Sequence, residues 1–85
     1  MKNLFENLGN LIGMEDNLLN VTNKLDEFCR YNVLDFNNAE DFIYNGSIAV
    51  SDIEEGEEYN IEFIVVKEDD NYLNYRIKIV DVYAL

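Results

Sequence analysis

Carboxylates are the most abundant reactive side chains in this sequence, and half of them fall within one short part of it. Nine of the 18 acids lie in or between two connecting loops, at Asp52, Glu54, Glu55, Glu57, Glu58, Glu62, Glu68, Asp69 and Asp70. Carboxylates can act as general acids and bases, as ligands of hard cations, or as negative charges that recognise a basic partner. The other residues of the chain discriminate among these three roles.

Catalysis and metal binding find little support in the sequence. Acid–base catalysis needs carboxylates held in a cleft, whereas these acids are predicted to lie in exposed loops. A calcium loop beginning at Asp52 would need a bidentate acid at its twelfth position, which is Phe63. With one cysteine and no histidine, the chain can neither build an ordinary zinc site nor activate Cys29 as a nucleophile. We therefore predict no enzyme activity, catalytic residue, metal or cofactor.

The charge balance favours recognition of a basic partner. The chain has 6 Lys and Arg against its 18 acids, which gives a formal net charge of −12. Such a protein repels nucleic-acid phosphates and anionic lipids but attracts surfaces rich in Lys and Arg. We therefore expect a basic protein partner, with no direct contact to nucleic acid or membrane. The alternative is that the acids serve only to keep the protein in solution.

The elements that must position these acids begin with an amphipathic helical segment at about residues 1–31. Leucines recur there at every seventh position, as Leu4, Leu11, Leu18 and Leu25. This spacing predicts either one long helix or two helices, and we favour a break near Gly13 because glycine weakens a helix interior. Asp16 or Asn17 would then cap the second helix.

The leucine spacing also permits a homodimeric coiled coil. Such a seam would place Glu15 opposite its symmetry mate, which is unfavourable at a buried position. We therefore expect the four leucines to pack on the sheet of a monomer, with the dimer as the alternative. Cys29 would lie at the end of the same apolar face.

The second half of the chain is predicted to form an antiparallel sheet. Residues 32–46 are expected to be irregular or to form a short helix, ended by Gly46, and residues 47–84 are expected to form three strands. Alternating apolar residues predict a pairing in which Phe63 faces Tyr75 and Glu62 faces Arg76, across a loop with an odd number of residues. The prediction is one α+β domain over residues 1–85, with an N-terminal helix or helix pair packed on a three-stranded antiparallel meander.

Three further features of the sequence bear on the cellular compartment. A single cysteine cannot form an internal disulfide, and the first residues lack the apolar run of a signal peptide. The longest wholly apolar run has four residues, beginning at Phe63, which is far too short to span a membrane. We expect the chain to act in the cytoplasm of a bacterial host.

A small, cysteine-poor and acidic α+β chain with exposed acidic loops at 52–58 and 68–71 resembles the phage-encoded inhibitors of bacterial defence, particularly anti-CRISPR and anti-restriction proteins. The resemblance is one of composition and carries no specific motif. It implies a non-enzymatic inhibitor that occupies a nucleic-acid-binding surface, with carboxylates where phosphates would lie. Two alternatives remain: an immunity protein or antitoxin for a basic toxin or nuclease, and a self-assembling structural protein of a phage or plasmid.

Overall fold

The computed structural model describes residues 4–29, 33–34, 38–51 and 56–85, and within these it confirms an α+β fold. The helices are α1 (Leu4–Gly9), α2 (Leu18–Cys29), α3 (Ala39–Asn45) and a 3-10 turn, η1 (Tyr72–Asn74). The strands are β1 (Glu15–Asn17), β2 (Ser47–Ser51), β3 (Glu58–Lys67) and β4 (Arg76–Ala84).

The strands form an antiparallel sheet in the order β1-β4-β3-β2, so the prediction of three strands was wrong by one. The additional strand, β1, is polar and lacks the alternation of apolar residues that marks a strand in sequence. Its position is set by backbone pairing with β4, and this pairing extends to the two residues that precede β1. Gly13 donates to the carbonyl oxygen of Ile79 at 2.7 Å, and Ile79 donates to that of Met14 at 2.9 Å.

The predicted break in the N-terminal segment is confirmed, and the single long helix is wrong. The helix α1 ends at Gly9, and Gly13 has a positive φ of 94°, which is incompatible with a continuing right-handed helix. After β1 the chain enters α2, where Asn17 acts as the cap. The Oδ1 atom of Asn17 accepts a hydrogen bond from the backbone N–H of Asn20 at 2.8 Å.

The core lies between the helices and one face of the sheet. All four leucines of the stripe are buried, and Leu18 and Leu25 are fully so. They belong to one hydrophobic cluster with Ile48, Ile61, Phe63, Ile77 and Ile79 from the three long strands. Cys29 is also buried in this cluster. The side chains that a coiled-coil seam would use therefore pack inside the chain's own core.

The helix α3 ends as the sequence predicts. Gly46 adopts a left-handed conformation with φ 68°, and its N–H donates to the carbonyl oxygen of Phe42 at 2.9 Å. Asn38 precedes the helix, and its side-chain amide donates to the carbonyl oxygen of Val33 at 2.8 Å. The sequence permits Asn37 or Asn38 as the cap of this helix; Asn38 makes no side-chain capping hydrogen bond to it, and Asn37 lies outside the described residues.

The pairing of β3 with β4 differs from the predicted register by four residues. Phe63 lies opposite Ile79 rather than Tyr75, because β4 begins only at Arg76. The connection, residues 68–75, contains η1, so the short loop with an odd number of residues was also wrong. Since a shift of four residues equals two full pleats, Phe63, Ile77 and Ile79 still face the core as predicted.

A β-bulge between Glu62 and Phe63 then changes the pairing once more. Ile61 consequently lies opposite Val82, and the buried positions of β4 are Ile77, Ile79 and Val82. A bulge adds one residue to one strand and alters the side chain that each partner meets beyond it. The bulge therefore determines the neighbours of Glu62, which is one of the candidate site residues.

The capping bond of Asn17 carries a prediction about stability. Asn17→Ala should lower the free energy of unfolding by about 1 kcal/mol, because a helix N-terminal donor loses its acceptor. The measurement is urea unfolding followed by circular dichroism. Asn23→Ala, at an exposed position within α2, is the matched control and should not destabilise the protein. Equal loss in both variants would contradict the capping role.

Candidate partner-binding surface

The structure describes six of the nine predicted site acids, and all six are exposed to solvent. They are Glu57, Glu58, Glu62, Glu68, Asp69 and Asp70, whereas Asp52, Glu54 and Glu55 lie outside the described residues. Glu58 is the first residue of β3, and residues 59–67 of that strand, which include Glu62, separate the first two acids from the last three. At about 3.3 Å per residue, this strand holds the two groups roughly 30 Å apart. We call them the Glu57 end and the Asp69 end.

The Glu57 end comprises Glu57 and Glu58 together with the last residues of β4. The N–H of Leu85 donates to the carbonyl oxygen of Glu58 at 2.9 Å, which ties the two strands together. The hydroxyl of the buried Tyr59 donates to the carboxylate of Glu57. An open depression of about 410 Å³ is lined by Glu57, Glu58 and Leu85 together with Gly56 and Ala84. Here the carboxylates border a concave surface that a protruding side chain could enter.

The Asp69 end is a loop held by its own hydrogen bonds. Asp69 Oδ2 accepts a hydrogen bond from the N–H of Asn71 at 3.0 Å. Asn71 Oδ1 accepts one from the N–H of Leu73 at 3.0 Å, and this bond caps η1. Partial burial raises the pKa of Tyr75, and the negative charge of Glu68 raises it further. Because the carboxylate of Asp69 accepts a hydrogen bond within the loop, part of the negative charge at this end has a structural role.

Glu62 lies midway along β3, on the sheet face opposite the helices. Its cross-strand partner is Asp81, so the predicted pairing of Glu62 with Arg76 is wrong. Both side chains are exposed, and like charges directly opposite each other destabilise a sheet. On the same face the side-chain amide of Asn60 donates to the hydroxyl of Tyr83 at 2.8 Å. Asp81 is a candidate site residue that the sequence pattern does not reveal, because the bulge that aligns it with Glu62 has no signal in the sequence.

The described cations of the sheet lie towards the Asp69 end. Lys67 is the cross-strand partner of Arg76, and Lys78 is that of Glu15 on β1. Arg76 Nε donates to a carboxylate oxygen of Glu15 at 2.6 Å, and this hydrogen bond raises the pKa of Arg76. The Asp69 end is therefore partly compensated by neighbouring positive charge.

In the part of the chain that the structure describes, the Glu57 end has no Lys or Arg within its own residues or those directly opposite them. The remaining described cation, Lys24, is on α2 and lies 3.8 Å from a carboxylate oxygen of Glu27. The two ends of β3 therefore differ in how far neighbouring cations compensate their carboxylates.

Asp16 supplies a prediction about pH. The side-chain amide of Asn20 lowers the pKa of Asp16 from 3.8 through a 3.0 Å hydrogen bond, and the N–H of Asn17 lowers it further through one of 2.7 Å. A lowered folded-state pKa means that ionised Asp16 stabilises the fold at neutral pH, and that this contribution disappears as pH falls through the folded-state value.

Asp16→Asn should therefore be less stable than the parent at pH 7, since the bonds to Asn20 and Asn17 lose their charged acceptor. The difference should shrink as the pH falls below 3.8. Urea unfolding of both proteins at a series of pH values measures it. A difference that remains constant down to about pH 2.5 would contradict this role of the charge.

Neither protein-family models, nor curated proteins, nor solved structures show a match to this chain. Among the described residues, no group of three or more His, Cys, Asp or Glu side chains is arranged to hold a metal ion. No described helix is long and apolar enough to cross a membrane.

Proposed function

We propose that this protein is a non-enzymatic inhibitor that binds the basic, nucleic-acid-binding surface of a bacterial defence effector. It would act in the manner of an anti-CRISPR protein, by presenting carboxylates where the effector binds phosphates. The observation that carries this proposal is the Glu57 end, where exposed acids meet no described cation opposite them. Exposed charge of one sign, left uncompensated, attracts a surface of the opposite sign.

The shape of the molecule is compatible with entry into a groove. Its principal extents are 38 × 26 × 20 Å, and β3 runs between the two acidic ends. The opposed carboxylates of Glu62 and Asp81 add charge between those ends. Their repulsion would be relieved if a Lys or Arg of the partner approached both, so binding would recover a stability cost present in the free protein.

Charge neutralisation tests the proposal. Replacing Glu54, Glu55, Glu57 and Glu58 by Gln should leave the fold intact or slightly more stable, because repulsion falls, while binding weakens mainly through slower association. The partner is first captured from a bacterial lysate and identified. Association is then measured at salt concentrations from about 0.05 to 0.5 M, over which exposed charges become strongly screened.

A matched variant separates local from overall charge. Changing four exposed acids of the helices, Glu6, Glu27, Glu40 and Asp41, to their amides removes the same number of charges. It should reduce association less than the first variant does. Asp69→Asn with Asp70→Asn tests the other end, where neighbouring cations predict a smaller loss. If all variants bind and inhibit like the parent and salt has no effect, the acidic loops serve only solubility.

The same charges would suit an immunity protein or antitoxin, so the identity of the captured partner matters. A nucleic-acid-guided or restriction effector whose binding is displaced by short DNA or RNA would support the proposal. Capture of a basic toxin or nuclease would favour the immunity protein instead. A self-assembling structural protein would form large particles without a partner, which light scattering would detect.

A further inference from the structure

The two edges of the sheet differ in how they are protected from pairing with another strand. The edge strand β1 has three residues, and two of them are the acids Glu15 and Asp16. The opposite edge, β2, has five residues, none of which is charged or proline. Proteins usually protect exposed edges by shortness, charge, proline or a bulge. Within the described residues, β2 has a regular five-residue register and shows none of these.

The hydrogen-bond pattern shows which backbone groups of β2 face outward. Phe63 N–H donates to the carbonyl oxygen of Gly46 at 2.9 Å, and antiparallel strands exchange bonds at every second residue. Ile48 and Val50 therefore bond to β3, while the N–H and C=O of Ser47 and Ala49 point away from it. Among the described residues, no other backbone group pairs with those of Ser47 and Ala49. The side chain of Ala49 is exposed as well.

The side chains behind this edge determine the chemistry of a strand that could add to it. On the solvent face, Ser47 lies beside Glu62, and Ala49 lies beside Asn60. Ser and Ala side chains are short, so a long side chain on an added strand can pass over them. Strands are spaced about 4.8 Å apart, which places the carboxylate of Glu62 two spacings from the new strand, within reach of Lys or Arg.

We propose that the edge of β2 receives an extended segment of the partner that carries Lys or Arg at alternate positions. Backbone groups of Ser47 and Ala49 pair with the segment, and its basic side chains extend towards Glu62. This inference rests on the proposed function, because it specifies how the basic partner is held. A second copy of this chain is disfavoured as the occupant, since each copy brings a net charge of −12.

The test uses synthetic peptides and amide hydrogen exchange measured by NMR on the full chain. The probe is an eight-residue peptide that alternates Lys and Thr, and the comparison is a peptide that alternates Glu and Thr. The Lys peptide should slow exchange of the Ala49 amide, whereas the Glu peptide should not. Exchange of the Ile48 amide, which is already bonded to β3, should change little.

Ala49→Pro should weaken binding of the Lys peptide about tenfold, because the outward donor is lost and the ring blocks close approach. The fold should tolerate this change, since proline is accepted on edge strands where the N–H faces outward and Ile48 is already extended. Ala49→Ser, which keeps the donor and a small side chain, is the matched control and should bind normally. If the proline variant does not fold, a fully N-methylated Lys peptide tests the same pairing on the parent.

The following outcomes of these experiments would contradict the inference. Equal binding to the proline variant, or of the methylated peptide, would show attachment by charge alone and leave the proposed function intact. Equal binding of the Glu peptide would refute the charge preference. Failure of the Lys peptide to bind at about 0.05 M salt would show that the edge accepts no basic strand, while capture of a partner tests the proposed function independently. If hydrogen exchange of the Ala49 amide slows as the protein concentration rises in the absence of peptide, the occupant of the edge is a second copy of the chain.

Discussion

Replacing Phe63 by Ala is expected to lower the free energy of unfolding by about 3–5 kcal/mol. Phe63 is 4% exposed and lies at the centre of the sheet, opposite Ile79. Truncation removes most of a buried ring and leaves a cavity that the neighbouring strands can fill only in part. Urea unfolding measured by circular dichroism gives the change directly. Ile77→Ala, at a fully buried position on β4, should cost about 2–5 kcal/mol.

The next residue along β3 provides the control. Ile64 is 53% exposed on the opposite face of the sheet, so Ile64→Ala should change stability by less than about 0.5 kcal/mol. The contrast between Phe63 and Ile64 depends only on which face each occupies. If the Phe63 variant unfolds at the same urea concentration as the parent, the assignment of the core face is wrong.

Leu18→Asp is expected to leave the chain unfolded at every protein concentration. Leu18 begins α2 and has no exposed surface. The substitution removes a buried apolar side chain and places an unpaired carboxylate in the core, and each of these costs several kcal/mol. A domain of this size has a total stability of only about 5–15 kcal/mol. The measurement is circular dichroism at several protein concentrations.

Leu19→Asp is the matched control, because Leu19 is the next residue of α2 and is 38% exposed. It should remain folded, since its new carboxylate stays in contact with water. The pair of variants also tests the coiled-coil alternative. A Leu18→Asp protein that stays folded, but changes from dimer to monomer by light scattering, would establish the dimer and refute the packing of this leucine on the sheet.

The alternation of apolar residues predicts which side of each strand faces the core, but not which residues lie opposite each other. Phe63 and Ile77 are both buried as predicted, although neither has the predicted partner. Side chains repeat every two residues along a strand, so any even shift of register buries the same set. The loop between β3 and β4 selects one of these registers. In that loop Asp69 and Asn71 accept hydrogen bonds from nearby backbone N–H groups, and the chain does not close a short turn.

Sequence patterns could not predict the strand β1 or the bulge in β3, because both arise from backbone pairing. The strand β1 forms through backbone pairing with β4, and backbone groups are the same in every residue except proline, so its sequence carries no signal. The bulge beside Phe63 aligns Glu62 with Asp81, where the predicted register had placed Arg76. An acid expected to be neutralised is instead left next to another acid.

The fold class, the buried face of the leucine stripe and the solvent exposure of the described acids could be predicted from the sequence, because they depend on local periodicity and on the cost of burying charge. The distribution of charge over the surface could not, because it depends on which strands pair and in which register. Pairing across the sheet brings Arg76 to Glu15 and leaves Glu62 beside Asp81. It also leaves β2 as an uncharged edge. Contacts between distant residues depend on register and strand order, which many sequences of the same pattern could satisfy in different ways.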